Sequence, residues 1–276
     1  MESRYQFQQR VKEALDKIGT EVLSYDESEF WMIRSLYEYL EYYAAQNRLF
    51  NMAVALPLAR GVHDGEHRKS KITRNGKEYP LPYVIHCLSG CRMLADLHPS
   101  LSKDEEDILL AAALCHDMIE DIPFPDHGKE LITQFHLDPR VYEVVRLVSK
   151  RKDFTKEEEI AHFHGIEQNK LALLVKLSDR GNNVEDLYNR SCWKVHEYVG
   201  ETKIYFLPMI TYGLAHYPDI VNPLEVLSDK IHTLIQVAEV LVERYEQRER
   251  ELEQQLKELQ DENERLRKEW KALWSE

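Results

Sequence analysis

Glycine and proline are scarce, ten of each in 276 residues. So few turn residues argue for long helices joined by short loops, an all-α fold. Long apolar runs are missing too. No stretch approaches the roughly 18 residues of a membrane helix, and the opening Met1-Glu2-Ser3-Arg4-Tyr5-Gln6 lacks the apolar centre of a signal peptide. The expectation is a cytoplasmic protein with no membrane attachment. Cys87, Cys91, Cys115 and Cys192 have no paired CxxC spacing, which argues against disulfides or a thiolate zinc site and leaves small buried hydrophobes in a reducing compartment. Positive charge is in deficit: 36 Lys and Arg against 49 Asp and Glu give −13. That balance argues against nucleic-acid or anionic-membrane binding. A phosphorylated substrate stays allowed if a metal or a local basic patch receives it.

What is present is mostly helical periodicity. Residues 1–49 read as two amphipathic helices, one with Phe7, Val11, Leu15 and Ile18 on a stripe, the other with Phe30, Ile33, Leu36, Tyr37 and Leu40. A third helix runs from Asn51 to Val62, with Pro57 predicting a kink or a late start. Asn75-Gly76 between short alternating runs predicts a small β-hairpin near 71–79. Arg68, Lys69, Lys71, Arg74 and Lys77 make this the most basic stretch of the chain, although such a charged loop is usually just solvated. Pro82 is expected to open a helix over Tyr83–Leu97. On that helix His86 shares a face with Ser89 and Gly90, whose small side chains would leave room for a ligand. Further helices are expected at Lys129–Phe135, Pro139–Ser149, Lys156–His164, Asn169–Leu187 and Cys192–His216, the last kinked at Pro208.

The chemistry concentrates in Ala112-Ala113-Leu114-Cys115-His116-Asp117-Met118-Ile119-Glu120-Asp121. An apolar helix, Ile108 to Leu114, runs into four ionisable side chains, and Pro123 is expected to stop it. His116 and Glu120 would share one face, Asp117 and Asp121 another. Three carboxylates and an imidazole are costly to bury unpaired, and a divalent cation would satisfy them; alternatively they cap the helix and face water. A second polar stripe, Asp179, Asn182, Asn183 and Asp186, follows the apolar run Leu173–Leu177, so it projects from a deeply embedded helix. His86, His116, Asp117 and Asp179 offer two imidazoles and two carboxylates, a set suited to Mn²⁺, Fe²⁺ or Zn²⁺ with open positions.

This H…HD…D order resembles the HD-domain metal-dependent phosphohydrolases. Arg68-Lys69-Ser70, Pro82-Tyr83-Val84-Ile85-His86, Ala113 to Asp121, Val175 to Asn183, and Glu201-Thr202 through Pro208 together resemble the hydrolase domain of the Rel/Spo alarmone enzymes. The resemblance implies an HD-domain helical bundle over 50–218, with 1–49 an N-terminal helical extension. It implies that His86, His116, Asp117 and Asp179 hold one Mn²⁺, or another divalent transition metal. Glu120 and Asp121 match the acidic pair that orients and deprotonates the attacking water. Arg68, Lys69, Ser70 and Tyr83 match residues that hold the base, and Asn183 one that contacts ribose or phosphate. The implied reaction removes the 3′-diphosphate of (p)ppGpp, giving GDP or GTP and pyrophosphate. The link from Ser70 to Pro82 is longer here than in that family, and Cys87 replaces the usual Pro after His86.

Residues 219–276 are too short and too heptad-like for an alarmone synthetase domain, so hydrolase activity alone is expected. From Ile231 a heptad places Ile231, Ala238, Tyr245, Leu252, Leu259, Leu266 and Leu273 at d, and Ile235, Val242, Glu249, Leu256, Asn263 and Trp270 at a. This predicts a coiled-coil arm about 70 Å long and a homodimer, with Asn263 as the register device known from parallel pairs. The alternative is that its first half packs on its own domain and its second half is a solvated single helix. Competing functions are an HD phosphohydrolase for another nucleotide (an adenine alarmone, NADPH 2′-phosphate, a nucleoside monophosphate) and a non-catalytic nucleotide sensor built on the coiled coil.

Overall fold

The computed structural model describes residues 3–16, 27–119, 135–151, 153–185, 187 and 190–273. It is a helical bundle with one two-stranded sheet and a long C-terminal helix. In chain order the elements are α1 (Arg4–Asp16), α2 (Phe30–Asn47), α3 (Phe50–Val62), β1 (His67–Arg74), β2 (Lys77–Pro82), α4 (Val84–Asp96) and α5 (Lys103–Cys115). They continue with α6 (Pro139–Val148), α7 (Lys156–Glu167), α8 (Lys170–Glu185), α9 (Cys192–Glu201), α10 (Leu207–His216) and α11 (Val221–Leu273). Among the described residues no helix is long and apolar enough to cross a membrane.

The centre is the packing of α4, α5 and α8 on one another. Their sequences explain why they lie inside. Ile108–Cys115 and Ala172–Leu177 are apolar nearly all round, and every one of those apolar residues is buried, as a helix without a polar face must be. Lys176 is the one charge inside the second run, and it is aimed at the site. Ser102 starts α5 through a capping box with Glu105, and Thr155 starts α7 in the same way with Glu158. Asp107 of α5 reaches the start of α3, accepting from the backbone of Asn51 and Met52 at 3.0 and 2.9 Å and so satisfying two orphan N–H groups.

Several sequence expectations change here. The helix before His116 ends at Cys115, not near Pro123, and residues 116–119 form turns. Pro82 closes β2, paired with His67, instead of opening a helix; Tyr83 caps α4. The β-ribbon is longer than 71–79, spanning 67–82, and Asn75 (φ 50°) and Gly76 (φ 74°) adopt the left-handed pair of a tight hairpin turn. Pro57 lies inside α3 without ending it. Around Pro208 the helix does not merely kink. Thr202–Phe206 widens into a π turn in which the Leu207 N–H donates to the Thr202 carbonyl. Pro208 has no N–H to return to the preceding turn, and the wider turn takes up the mismatch. The Lys129–Phe135 helix falls almost wholly outside the described residues, as do Glu120 and Asp121.

The first part of α11 belongs to the bundle. Leu224, Leu227, Ile231, Ile235, Ala238 and Val242 are buried, whereas Tyr245, Leu252, Leu256, Leu259 and Leu266 are exposed. The heptad is thus divided at about residue 244.

Candidate metal centre and phosphate cleft

Three helices deliver four side chains to one point. His86 comes from the first turn of α4, His116 and Asp117 from the turn after α5, and Asp179 from α8. Ending α5 at Cys115 lets both 116 and 117 turn inward. The Nε2 atoms of His86 and His116 lie 3.2 Å apart. Asp117 Oδ2 is 3.2 Å from the His116 Nε2 and 3.6 Å from that of His86. Asp179 Oδ1 is 3.1 Å from His86 Nε2 and 3.7 Å from His116 Nε2.

This donor set fits a divalent cation. His116 Nδ1 is 2.8 Å from the Ala113 carbonyl, an acceptor only, so Nδ1 carries the proton and Nε2 presents its lone pair to the cluster. Two nitrogen and two carboxylate donors, with the imidazole nitrogens 3.1–3.7 Å from each other and from the carboxylate oxygens, form a set suited to a first-row ion. Electrostatics agree. Burial works to neutralise His116, yet Asp117 and Asp179 hold its pKa well above the usual histidine value. Burial likewise opposes charge on Asp179, but Lys176, His116 and His86 keep it well below the ordinary carboxylate range. The carboxylates demand positive charge at the Nε2 atoms.

The surrounding residues hold this arrangement. Tyr83 donates to Asp117 Oδ2 at 2.7 Å, and burial and Asp117 push its own pKa up, so it stays a donor. Asn183 donates to Asp179 Oδ1 at 2.5 Å and accepts from Arg68 at 3.4 Å; Lys176 donates to Asp179 Oδ2 at 3.2 Å. Gly90 does not make room for a ligand. A Cβ there would lie 3.1 Å from Asn182 Nδ2 and 3.2 Å from Ser178 Oγ, so the missing side chain lets α8 approach α4, with Ser178 bonding the Gly90 carbonyl. Cys87 is buried behind His116 and Asp117, its sulfur within 4.8 Å of their ligating atoms, and burial and Asp117 push its thiol well up. All four cysteines are free thiols.

Beside the cluster opens a cleft of about 450 Å³. Arg68 and Lys69 reach it from β1, with Tyr83 and Asn183; Ser70 is buried in β1 and does not line it. Four further cations line it that the motif reading had not selected: Lys150, Lys176, Arg180 and Arg190. Lys176 and Arg180 flank Asp179 in an embedded helix, a signal available in the sequence. Lys150 and Arg190 arrive through tertiary packing and carry no local signal. Glu201 braces this wall, accepting from both Arg180 and Lys150, and Lys150 also pairs with Glu159. Arg180 stacks over Phe206 at 3.9 Å and Tyr198 at 4.8 Å, and its Nη1 is buried with no hydrogen-bond partner. A buried guanidinium N–H beside a cleft is an anion site in waiting.

The HD domain family model matches residues 83–183, a span running from Tyr83 to Asn183 and containing all four residues of the cluster. The chain carries an HD domain over these residues, which supports a metal-dependent phosphohydrolase in general. No curated protein matches the chain.

Proposed function

We propose that the protein hydrolyses the 3′-diphosphate of (p)ppGpp, releasing pyrophosphate and GDP or GTP, with Mn²⁺ held by His86, His116, Asp117 and Asp179. The observation that carries this reading is the contrast in charge. A chain of net charge −13 gathers six Lys and Arg side chains around one cleft beside the metal cluster, which suits a substrate bearing several phosphates. When bound, the metal polarises the phosphoryl oxygen and lowers the pKa of the attacking water.

The chain's own residues do the rest. Arg180 Nη1, Lys150 and Arg190 neutralise the diphosphate as water attacks it. Glu120 and Asp121 take the proton from the water as it attacks the phosphorus bonded to the 3′-oxygen. That P–O bond breaks, and the carboxyl that took the water's proton returns it to the departing 3′-oxygen. Arg68, Lys69 and Tyr83 hold the base side, next to the hairpin, and Asn183 the ribose; Ser70, buried in β1, has no contact with the cleft to offer. Within the chain α11 is one helix rather than a synthetase fold, and we read its exposed heptads as pairing with a second copy.

The test is turnover of (p)ppGpp with added Mn²⁺, products resolved by anion exchange, beside Asp121→Ala and a panel of adenine alarmone, NADPH and nucleoside monophosphates. GDP and pyrophosphate from the wild type, slowed at least ~10²-fold by Asp121→Ala, support the reading. Folded, metal-loaded protein that turns over another panel member moves the substrate. Binding without any turnover turns the site into a sensor.

A further inference from the structure

The hairpin breaks register where it meets the cleft. Pairing runs from Arg74–Lys77 to Lys71–Pro80 and resumes at His67–Pro82, so four steps along β1 answer two along β2. Pro80 and Pro82 have no N–H to give the ladder. Arg68, Lys69 and Ser70 stand in the break, outside the regular register. An irregularity of this kind bends its strand and re-aims side chains, and here it accompanies the reach of Arg68 and Lys69 into the cleft.

Anchors flank the break on both sides, and both come from one short segment. On the near side His67, which also lines the cleft, donates from Nε2 to Glu29 at 2.8 Å. Glu29 ends the turn Glu27–Glu29 just before α2. On the far side a single indole meets both strands. The Trp31 ring contacts Tyr79 of β2 edge-on at 5.4 Å, and Arg74 of β1 lies over it at 4.6 Å. The segment is itself tied to the bundle: Arg60 of α3 pairs with Glu27 at 3.6 Å and stacks over Phe30 at 4.1 Å. A two-stranded ribbon is marginal alone in water and needs something to pack against; α2 packs on β2.

We propose that Glu29 and Trp31 are positioning residues for the nucleotide end of the cleft, acting through the hairpin on Arg68 and Lys69. Neither lines the cleft, and both lie outside the span of the HD domain match. The inference rests on the assignment of Arg68 and Lys69 to the nucleotide made above. It separates the two ends of the site. Loosening the hairpin weakens the hold on the nucleoside and leaves the diphosphate end, built by Lys150, Arg180 and Arg190, as it was.

Two measurements on the full chain test this. A spin label on Thr73→Cys, exposed on β1, in a background where Cys192, the one cysteine not fully buried, is changed by Cys192→Ser, reports the hairpin. Trp31→Ala should sharpen its spectrum towards free motion, and Trp31→Phe, which keeps a ring, should restore it; unchanged spectra overturn the anchoring. Calorimetric titration of the Mn²⁺-loaded protein with GDP, ADP and pyrophosphate then reads the two ends separately. Trp31→Ala and Glu29→Ala should each weaken GDP by about tenfold and leave pyrophosphate and Mn²⁺ unchanged, with Trp31→Phe and Glu29→Gln close to wild type. Both side chains are part-exposed, so the fold is kept, as circular dichroism will show. Equal weakening of GDP and pyrophosphate marks a general structural effect and overturns the proposal, as does unchanged GDP binding in a variant whose hairpin has loosened. A wild type that prefers ADP strikes the guanine reading alone, and the same comparison with ADP decides the inference. One that binds pyrophosphate but neither nucleotide overturns both.

Discussion

Tyr83 and His162 show how single side chains set the behaviour of this site. The Tyr83 hydroxyl donates to the same Asp117 oxygen that faces both imidazoles. Tyr83→Phe removes that donor, leaves the ring packing against His63 at 4.9 Å, and should weaken Mn²⁺ binding about tenfold. Isothermal titration checks it, and an unchanged affinity would show that Asp117 needs no orienting partner. His162 behaves as a pH probe. Its Nε2 is buried without a partner, and burial, then Lys176 and Lys150, push its pKa down from 6.5 to about 4. Folding therefore favours the neutral ring. This contribution to stability is complete above pH 6.5, is lost as pH falls from 6.5 towards 4, and changes no further below that. His162→Phe, which keeps the tilted and edge-on ring contacts with Phe154 and Phe163, should flatten melting temperature against pH in that window. Parallel curves for the two proteins would contradict the assignment.

At the scale of elements, close approach of helices matters more than helix propensity. Gly213 of α10 touches α8 and α11: a Cβ there would stand 2.6 Å from Leu173 Cδ2 and 2.8 Å from Leu224 Cδ1. Gly213→Ala should cost ~1–3 kcal/mol through overpacking, outweighing a propensity gain of at most ~1 kcal/mol. Gly165 of α7 has only Leu147 Cδ2 at 3.9 Å, so Gly165→Ala should stabilise by ~0.5–1 kcal/mol. Urea denaturation of both variants reads opposite signs, and a stable Gly213→Ala would mean the three helices can re-space. The same distinction marks what was legible in the sequence. Buried runs such as Leu173–Leu177 and the Asn75-Gly76 turn are local, and the residues that meet at the cluster could be selected from their types and order. The end of α5 was not legible, because Ile108–Cys115 contains no breaker. There, the convergence of His116 and Asp117 with α4 and α8 outweighs continued helix. The reach of Lys150 into the cleft depends on packing between distant segments, and no local pattern announces it.

Taken whole, the molecule is an acidic body with a basic cleft and a helix that serves two purposes along its length. Eight residues from Ile220 to Val242 (Ile220, Pro223, Leu224, Leu227, Ile231, Ile235, Ala238 and Val242) are buried, and all the described residues from 247 to 271 are exposed. At ~1.5–3 kcal/mol for each large apolar side chain, Ile220, Leu224, Leu227, Ile231, Ile235 and Val242 amount to ~9 kcal/mol or more, comparable to the entire ~5–15 kcal/mol stability of a domain. The arm beyond contributes almost nothing to the fold of one chain. A chain ending after Glu246 should therefore keep its circular dichroism spectrum, melt close to the full-length protein at matched concentration, and scatter light as a monomer. One ending after Asp219 should fail to fold. A marked loss of melting temperature in the longer truncation would mean that the bundle draws stability from the pairing of its arms, making the dimer part of the folding unit instead of an addition to it.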